Sequence, residues 1–382
     1  MATPCCSFEL HSSFGPARVG TLHLTHGAIR TPAFMPVGTS ATVKGMTAQE
    51  LEGLGADIVL SNTYHLWIRP GHDVIRDMGG LHAFMGWKRP ILTDSGGYQV
   101  FSLREHLKVT EEGVSFKSPH DGLTRHLTPE LAIEIQEAMG VDIAMAFDEC
   151  LEHPADRERT MRSTERTTRW LERCLAARAH ADRTALFGIV QGGMHEDLRA
   201  AHAKTLAAMP LDGVAIGGLS VGEGQEIMLR MVEAAVPELP VDKPRYLMGV
   251  GHPSDIVEAA LRGVDMFDCV LPSRAGRHGQ VYTSGGRVNL RNARFARDER
   301  RLDPDWPEPG PTAGLSRAYL RHLVRCEELL GKRLCTWHNL WFYQQIMQRL
   351  REAIAAQDAA AIEDVRRIAA CASRPPGEAT LS

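Results

Sequence analysis

Eight short apolar runs, each ending in glycine or polar residues, recur along this chain and constrain its fold more than any other feature. They are TPAFMPVGT (31–39), DIVLSNTYH (57–65), PILTDSGGYQ (90–99), VDIAMAFDEC (141–150), ALFGIVQGG (185–193), GVAIGGLSVGEG (213–224), RYLMGVGHP (245–253) and GVDMFDCVLP (263–272). Helix-period segments with charged faces occupy several of the gaps, among them TPELAIEIQEAM (128–139) and ADRERTMRSTERTTRWLERCLAAR (155–178). Near-continuous apolar strands that alternate with amphipathic helices imply a parallel sheet covered on its outside. Eight of them favour an α/β fold of the closed (β/α)8 TIM-barrel type over an open doubly wound sheet. No GxGxxG follows the first run, which argues against a dinucleotide-binding fold.

The flanking segments differ in character. Residues 1–28 alternate and turn (FELHSSFGPARVGTLHLTHG), which predicts an N-terminal β-hairpin ahead of a catalytic barrel over 29–290. From 291 to 372 an arginine-dense stretch and a Pro/Gly-rich loop, DWPEPGPTAGL, precede three amphipathic helices, read as a C-terminal helical appendage. Residues 373–382 read as a disordered tail. A net charge of −4 excludes a globally basic nucleic-acid binder but leaves room for a local basic face. The eight cysteines show no disulfide spacing, and neither a signal peptide nor a membrane span is visible. A cytoplasmic protein is expected.

The polar residues gather at the C-terminal ends of the runs, which in a barrel is the catalytic face. Asp94, Asp148, Gln191, Gly217, Gly218 and Asp268 are therefore expected to converge. Asp268 lies near the end of an apolar strand, next to a loop carrying Arg274 and Arg277 that suits a polyanion. A carboxylate there can be a nucleophile, a base or the cap of the following turn. Asp94 precedes Ser95, Gly96, Gly97 and Tyr98; the diglycine admits close backbone approach to a planar ligand and Tyr98 offers a stacking face. An N-cap is the alternative role for Asp94. Two carboxylates at strand ends suit acid–base and nucleophilic work at a glycosidic carbon. Asp148 with Gln191 and the backbone of Gly217 and Gly218 could read a purine edge, or could be strand caps and a satisfied core amide. Met248 is a core residue or a contact near the barrel mouth.

The motifs LTDSGGYQVFSL, FDEC, GIVQGG, GGLSVGE, YLMGVG and GVDMFDCVLPSRAGRHG, in this order, resemble those of the bacterial tRNA-guanine transglycosylases (queuine tRNA-ribosyltransferases), from about residue 8 to about residue 370. The resemblance implies an irregular (β/α)8 barrel that exchanges wobble guanine in tRNAs with GUN anticodons for the deazaguanine preQ1. It assigns Asp268 as nucleophile and Asp94 as general acid/base. Base contacts fall to Asp94, Ser95, Gly96, Gly97, Asp148, Gln191, Gly217, Gly218 and Leu219, with Tyr98 and Met248 sandwiching the ring. RNA contacts fall to Gly249, Val250, Gly251, His252, Pro253, Ser254 and Asp255, and to Ser273, Arg274, Ala275, Gly276 and Arg277. Cys150 and Val221 favour preQ1 over the bulkier queuine. A homodimer is implied. The partners are tRNA and preQ1 or guanine, with no membrane.

One feature departs from the family. Its members hold a structural zinc through a CxCxxC cluster and a downstream histidine; here Trp306, Glu308 and Pro311 stand at or near the cysteine positions and only His338 is retained. No metal and no cofactor are expected, a rebuilt site from Cys326, Cys335 and His338 being the alternative. The arginines at 287, 291, 294, 297, 300 and 301 could contact phosphates or form surface ion pairs with Asp298 and Glu299. Two rival functions are a retaining glycoside hydrolase, for which 6% aromatic residues offer few sugar platforms, and a non-catalytic tRNA-binding subunit, against which both aspartates stand.

Overall fold

A computed structural model describes residues 5–102, 107–306 and 309–374. The eight apolar runs form eight strands of one parallel sheet: Ala33–Pro36, Val59–Ser61, Ile91–Thr93, Ile143–Met145, Ala185–Val190, Gly213–Ile216, Arg245–Leu247 and Met266–Cys269. The second to eighth strands pair in parallel with one another in sequence order, and the eighth returns to pair with the first. The seam between the first and second strands is held by a Val37–Leu60 bridge, where Gly38 N donates to Leu60 O at 2.6 Å. The (β/α)8 barrel expected from the sequence is thus the observed fold.

Side chains alternate between the two faces of each strand. Met35, Leu60, Leu92, Met145, Phe187, Ala215, Tyr246 and Met266 fill the interior, while Phe34, Val59, Ile91, Leu186, Val214, Leu247 and Phe267 pack outward on the helices. Both faces being buried explains why the runs read as continuous apolar stretches.

The N-terminal segment is a three-stranded antiparallel sheet, not the expected hairpin: Ser7–Phe14, Ala17–Leu24 and Gly27–Thr31. Its third strand was assigned to the barrel by the boundary at 28. The sheet stays because Leu22 and Ile29 insert into the interior cluster and close the barrel's N-terminal end. Carboxylates at the beginnings of four strands fix this closure. Asp57 binds Arg30 and Arg89, Asp142 accepts from His26 N and Ile91 N, and Asp212 binds Arg178. Asp265, fully buried, accepts from Arg18 and from Arg245 N at 2.8 Å.

The C-terminal helices are present at Arg317–Arg325, Leu329–Ala355 and Ala359–Ser373, but the middle one is not an appendage. It is buried over much of its length, its Gln344 donating to the Phe34 carbonyl on the first barrel strand and its Arg351 to the Pro32 carbonyl just before it. The helix after the eighth strand, Leu271–Arg277, has only seven residues, so the 27-residue helix completes the wall beside it. Two small antiparallel units were not foreseen, a sheet within 108–127 and a hairpin within 280–289. The expected disordered tail, 373–382, lies outside the described residues from 375 onward.

Removing the Asp265 carboxylate leaves the Arg18 guanidinium buried and unpaired. Asp265→Ala is expected to lower unfolding stability by about 3–5 kcal/mol in urea titrations, with the Arg18→Ala Asp265→Ala double variant recovering part of the loss.

Candidate active site

The polar ends of the strands meet because the inward face continues one step past the apolar layer. After Leu60 comes Asn62, after Leu92 Asp94, after Ile189 Gln191, after Ala215 Gly217, after Tyr246 Met248 and after Met266 Asp268. These positions ring the C-terminal mouth. A cavity of about 310 Å³ opens there, and its lining includes Asp94, Ser95, Tyr98, Asp148, Gly217, Gly218, Leu219, Met248, Gly249, Asp268 and Arg274. Its size and few convergent polar groups suit one small planar ligand.

Asp94 is buried and accepts four hydrogen bonds. Asn62 Nδ2 and Gln99 Nε2 donate to one oxygen, and Thr63 N and Gly96 N to the other, at 2.5 to 3.1 Å. Gly96 takes φ +81°, a left-handed turn that aims its N–H back at the carboxylate. Burial nonetheless pushes the Asp94 pKa up to about 6, with the hydrogen bonds opposing it.

Asp148 breaks the alternation by one residue. Phe147 turns outward to stack on Trp170 with ring centroids 4.8 Å apart, which leaves Asp148 facing the cavity. Its oxygens accept from Ser95 Oγ at 3.2 Å and Gln191 Nε2 at 2.7 Å, and burial pushes its pKa up to about 6. Gln191 sits behind Asp148 instead of on the cavity wall, and its backbone N–H donates to Nδ1 of the buried His202 at 2.8 Å. Gly97 N donates to Ser95 Oγ, so the diglycine turn orders the carboxylates.

Asp268 is held differently. Tyr246, opposite Met266 on the adjacent strand, donates its hydroxyl to Asp268 Oδ1 at 2.5 Å, and Gly249 N donates to the same oxygen at 2.8 Å. Among the described residues no donor reaches Oδ2. Burial raises the Asp268 pKa. One carboxylate oxygen is fixed and the other is left free toward the cavity.

The expected RNA-contact stretches divide by side. His252, Arg274 and Gly249 are exposed, and Ser254, Asp255 and Arg277 are half-buried. Val250, Gly251, Pro253, Ser273, Ala275 and Gly276 are buried and cannot present side chains to RNA. The cause is packing: Val250 is in the core, Gly251 O accepts from Tyr343, and Gly276 has no room for a Cβ, which would stand 2.6 Å from Thr336 N. The arginine stretch is largely engaged within the chain. Arg300 pairs with Asp298 and Arg291 with Glu327, while Arg287 and Arg294 lie over Tyr282 and Phe295.

Asn62, Thr63, Gln99 and Tyr246 were missed from the sequence. Their signal was position: each stands on, or within a few residues of, an inward-facing strand end.

The fold and the site define a (β/α)8 barrel enzyme with three carboxylates, Asp94, Asp148 and Asp268, around one cavity at its C-terminal mouth. The family model described as queuine tRNA-ribosyltransferase matches residues 13–368. Proteins named queuine tRNA-ribosyltransferase are similar over most of the chain. The one from Geobacillus thermodenitrificans is 54% identical over 338 residues, covering 88% of this chain and 89% of its own. The Ruminiclostridium cellulolyticum protein is 53% identical over 348 residues (91% and 93%), and that of Acetivibrio thermocellus 55% over 338 (88% and 90%). The chain belongs to the queuine tRNA-ribosyltransferase family, and is a tRNA-guanine transglycosylase.

The family's zinc does not fit the residues present. His338 Nε2 lies 2.8 Å from the Tyr282 carbonyl, Cys335 is buried in an apolar cluster, and exposed Cys326 neighbours His322. Glu308 is outside the described residues. Among the described residues the one grouping of metal-type donors is His26, His82 and Asp142, at the opposite end of the barrel. There the imidazoles stack 3.7 Å apart at 22°, so their lone pairs lie in near-parallel planes and do not converge on one ion.

A carboxyl whose pKa is raised on folding favours the folded state below its unfolded value of about 3.9 and loses that contribution as pH rises through about 6. Asp148→Asn, whose amide keeps partners in Gln191 and Ser95, is therefore expected to stabilise the fold at pH 7.5 by about 1–3 kcal/mol. The gain should shrink toward zero as urea titrations move to pH 4.

Proposed function

We propose that this enzyme exchanges guanine at the wobble position of tRNAs with GUN anticodons (those for Asp, Asn, His and Tyr) for preQ1, through a covalent enzyme–tRNA intermediate. The observation that carries the reading is the pairing, on one cavity, of a carboxylate with a free oxygen, Asp268, and two buried carboxyls with pKa near 6, Asp94 and Asp148. Asp268 Oδ2 attacks ribose C1′ as the C1′–N9 bond breaks and guanine leaves with the bonding pair, taking the proton of Asp94, which is left as the carboxylate. The incoming base gives its N9 proton to Asp94, N9 attacks C1′ from the vacated side, and the Asp268 ester bond breaks. Two displacements at C1′ retain its configuration.

Asp148, held from behind by Gln191, accepts from the ring N–H and amino group, the Gly218 N–H serves the base carbonyl, and Tyr98 and Met248 flank the ring. Arg274, which lines the cavity, and Arg277, whose buried Nη1 has no partner among the described residues, take the flanking phosphates of a splayed anticodon loop. Cys150 and Val221 border the slot and restrict it to a base without queuine's ring substituent. The working form is a cytoplasmic homodimer, one subunit acting while its partner orients the tRNA.

Labelled guanine should enter tRNA, and a denaturing gel should trap an enzyme–tRNA adduct. Asp268→Asn is expected to lose the adduct and about three orders of magnitude or more of exchange. Exchange at the wild-type rate by that variant overturns the nucleophile assignment. Asp94→Ala should abolish turnover yet retain tRNA affinity. Because Asp94 and Asp148 both need their charge, kcat/KM for the base should fall below about pH 6.

In place of zinc, Trp306 supplies the local anchor, packed on Phe342 and covered by Arg349 at 4.1 Å from its ring centroid. Elemental analysis of fully active protein should show no stoichiometric zinc; one zinc per chain contradicts this assignment.

A further inference from the structure

Behind the base slot lies a buried cation that the reading above leaves without a task. Arg199, on the helix Glu196–Ala207, is fully buried, and among the described residues it forms no ion pair with a carboxylate. Its Nε donates to Gly193 O at 2.8 Å, and its Nη2 to Gly217 O at 3.0 Å and Gly218 O at 3.3 Å. Its hydrogen-bond partners are backbone carbonyls and Glu223 acts on it only through space, so burying the guanidinium is costly, and packing could be met by an apolar side chain of the same volume. Its charge therefore calls for an explanation in the groups it touches.

Those groups are the two loops that carry Gln191 and Gly218. The carbonyl of Gly217 and the N–H of Gly218 belong to one peptide group, so a cation bonded to that oxygen polarises the amide and strengthens the N–H as a donor. The Gly218 N–H is directed at Cys150 Sγ, and Gly218 and Cys150 both line the base cavity. Gly218 is held at φ +64°, and a Cβ there would stand 2.5 Å from Gln191 Oε1, so the turn is pressed directly against Gln191. Desolvation lowers the Arg199 pKa to about 10, which leaves it charged at neutral pH.

We propose that Arg199 is a positioning residue for base selection: it clamps the Gly217–Gly218 turn against the 191–193 loop and, through their shared peptide, strengthens the Gly218 N–H that binds the base carbonyl. This rests on the base-exchange reading of the cavity. It touches neither base nor tRNA, and its effect is confined to bases that present a carbonyl at that edge.

The test compares guanine with 6-thioguanine, which keeps the ring N–H and amino group but replaces the carbonyl by a weak acceptor. Both are assayed as substrates for insertion into tRNA by wild type, Arg199→Met and Arg199→Lys. Arg199→Met is expected to raise KM for guanine roughly tenfold and to reduce the guanine-to-thioguanine preference by about the same factor, with KM for tRNA unchanged. Arg199→Lys, which keeps the charge but not the planar fork, should fall between the two. Equal weakening of both bases, or an unchanged preference in either variant, overturns the role of Arg199 and leaves the base-exchange reading standing. If Arg199→Met does not fold, the preference measured for Arg199→Lys decides alone. A wild-type protein that inserts no guanine into tRNA overturns the reading itself, and the proposal with it.

Discussion

Closure of the barrel is the constraint on which everything else rests. Once eight parallel strands close through the Val37–Leu60 bridge, every second side chain must point into a space too narrow for water and be apolar. The next inward position on each strand lies at the rim, where that requirement ends. Polar residues there are gathered by geometry alone: Asn62, Asp94, Gln191 and Asp268 come from four strands separated widely in sequence. The same closure makes the other end a place for stability, and the carboxylates Asp57, Asp142, Asp212 and Asp265 at the strand starts tie the N-terminal sheet and the outer loops to it.

The rim carboxylates are alike in sequence and different in environment. Asp94 spends both oxygens on four donors. Its proton affinity is therefore set by a balance between burial and a full set of hydrogen bonds, which suits a group that must gain and lose a proton. Asp268 has both of its donors on a single oxygen, supplied by Tyr246 and Gly249. The other oxygen keeps the electron density that the proposed bond formation requires, and the tyrosine fixes the rotamer that aims it. A carboxylate locked on both sides would be a poor nucleophile; one with no anchor would be a mobile one.

Much of this was legible in the sequence because it depends on short-range pattern. Apolar runs with polar ends located all eight strands and most of the rim, including Asp94 and Asp268. What was not legible depends on contacts between distant segments. The 329–355 helix reads as part of an appendage, since nothing local records that the 271–277 helix is too short to cover its sector of the wall. Arg199 and His202 lie in EDLRAAHAKTLA, where nothing local marks them apart from its other polar residues, yet both are buried. Within GVGHPSD and SRAGR the buried residues alternate with exposed ones at helical spacing, so stretches that resemble RNA-contacting segments present only some of their side chains.

The proposed replacement of zinc follows the same packing logic. In a loop that joins two buried elements, a metal supplies a rigid crosslink where few apolar contacts are available. Here the loop's surroundings are rich in such contacts. Trp306 packs on Phe342 beneath Arg349, and the Trp337 ring occupies the space where a Cβ on Gly310 would sit. His338 anchors the hairpin within 280–289 through the Tyr282 carbonyl, while Asn339 accepts from Tyr282 N and donates to Pro272 O. The long helix thereby reaches the hairpin and the turn that begins the 271–277 helix, a few residues from Asp268. Aromatic burial can carry the crosslink that an ion would otherwise supply when the helix beneath it is already part of the barrel wall, and on this proposal the orientation of the Asp268 loop depends on the helix.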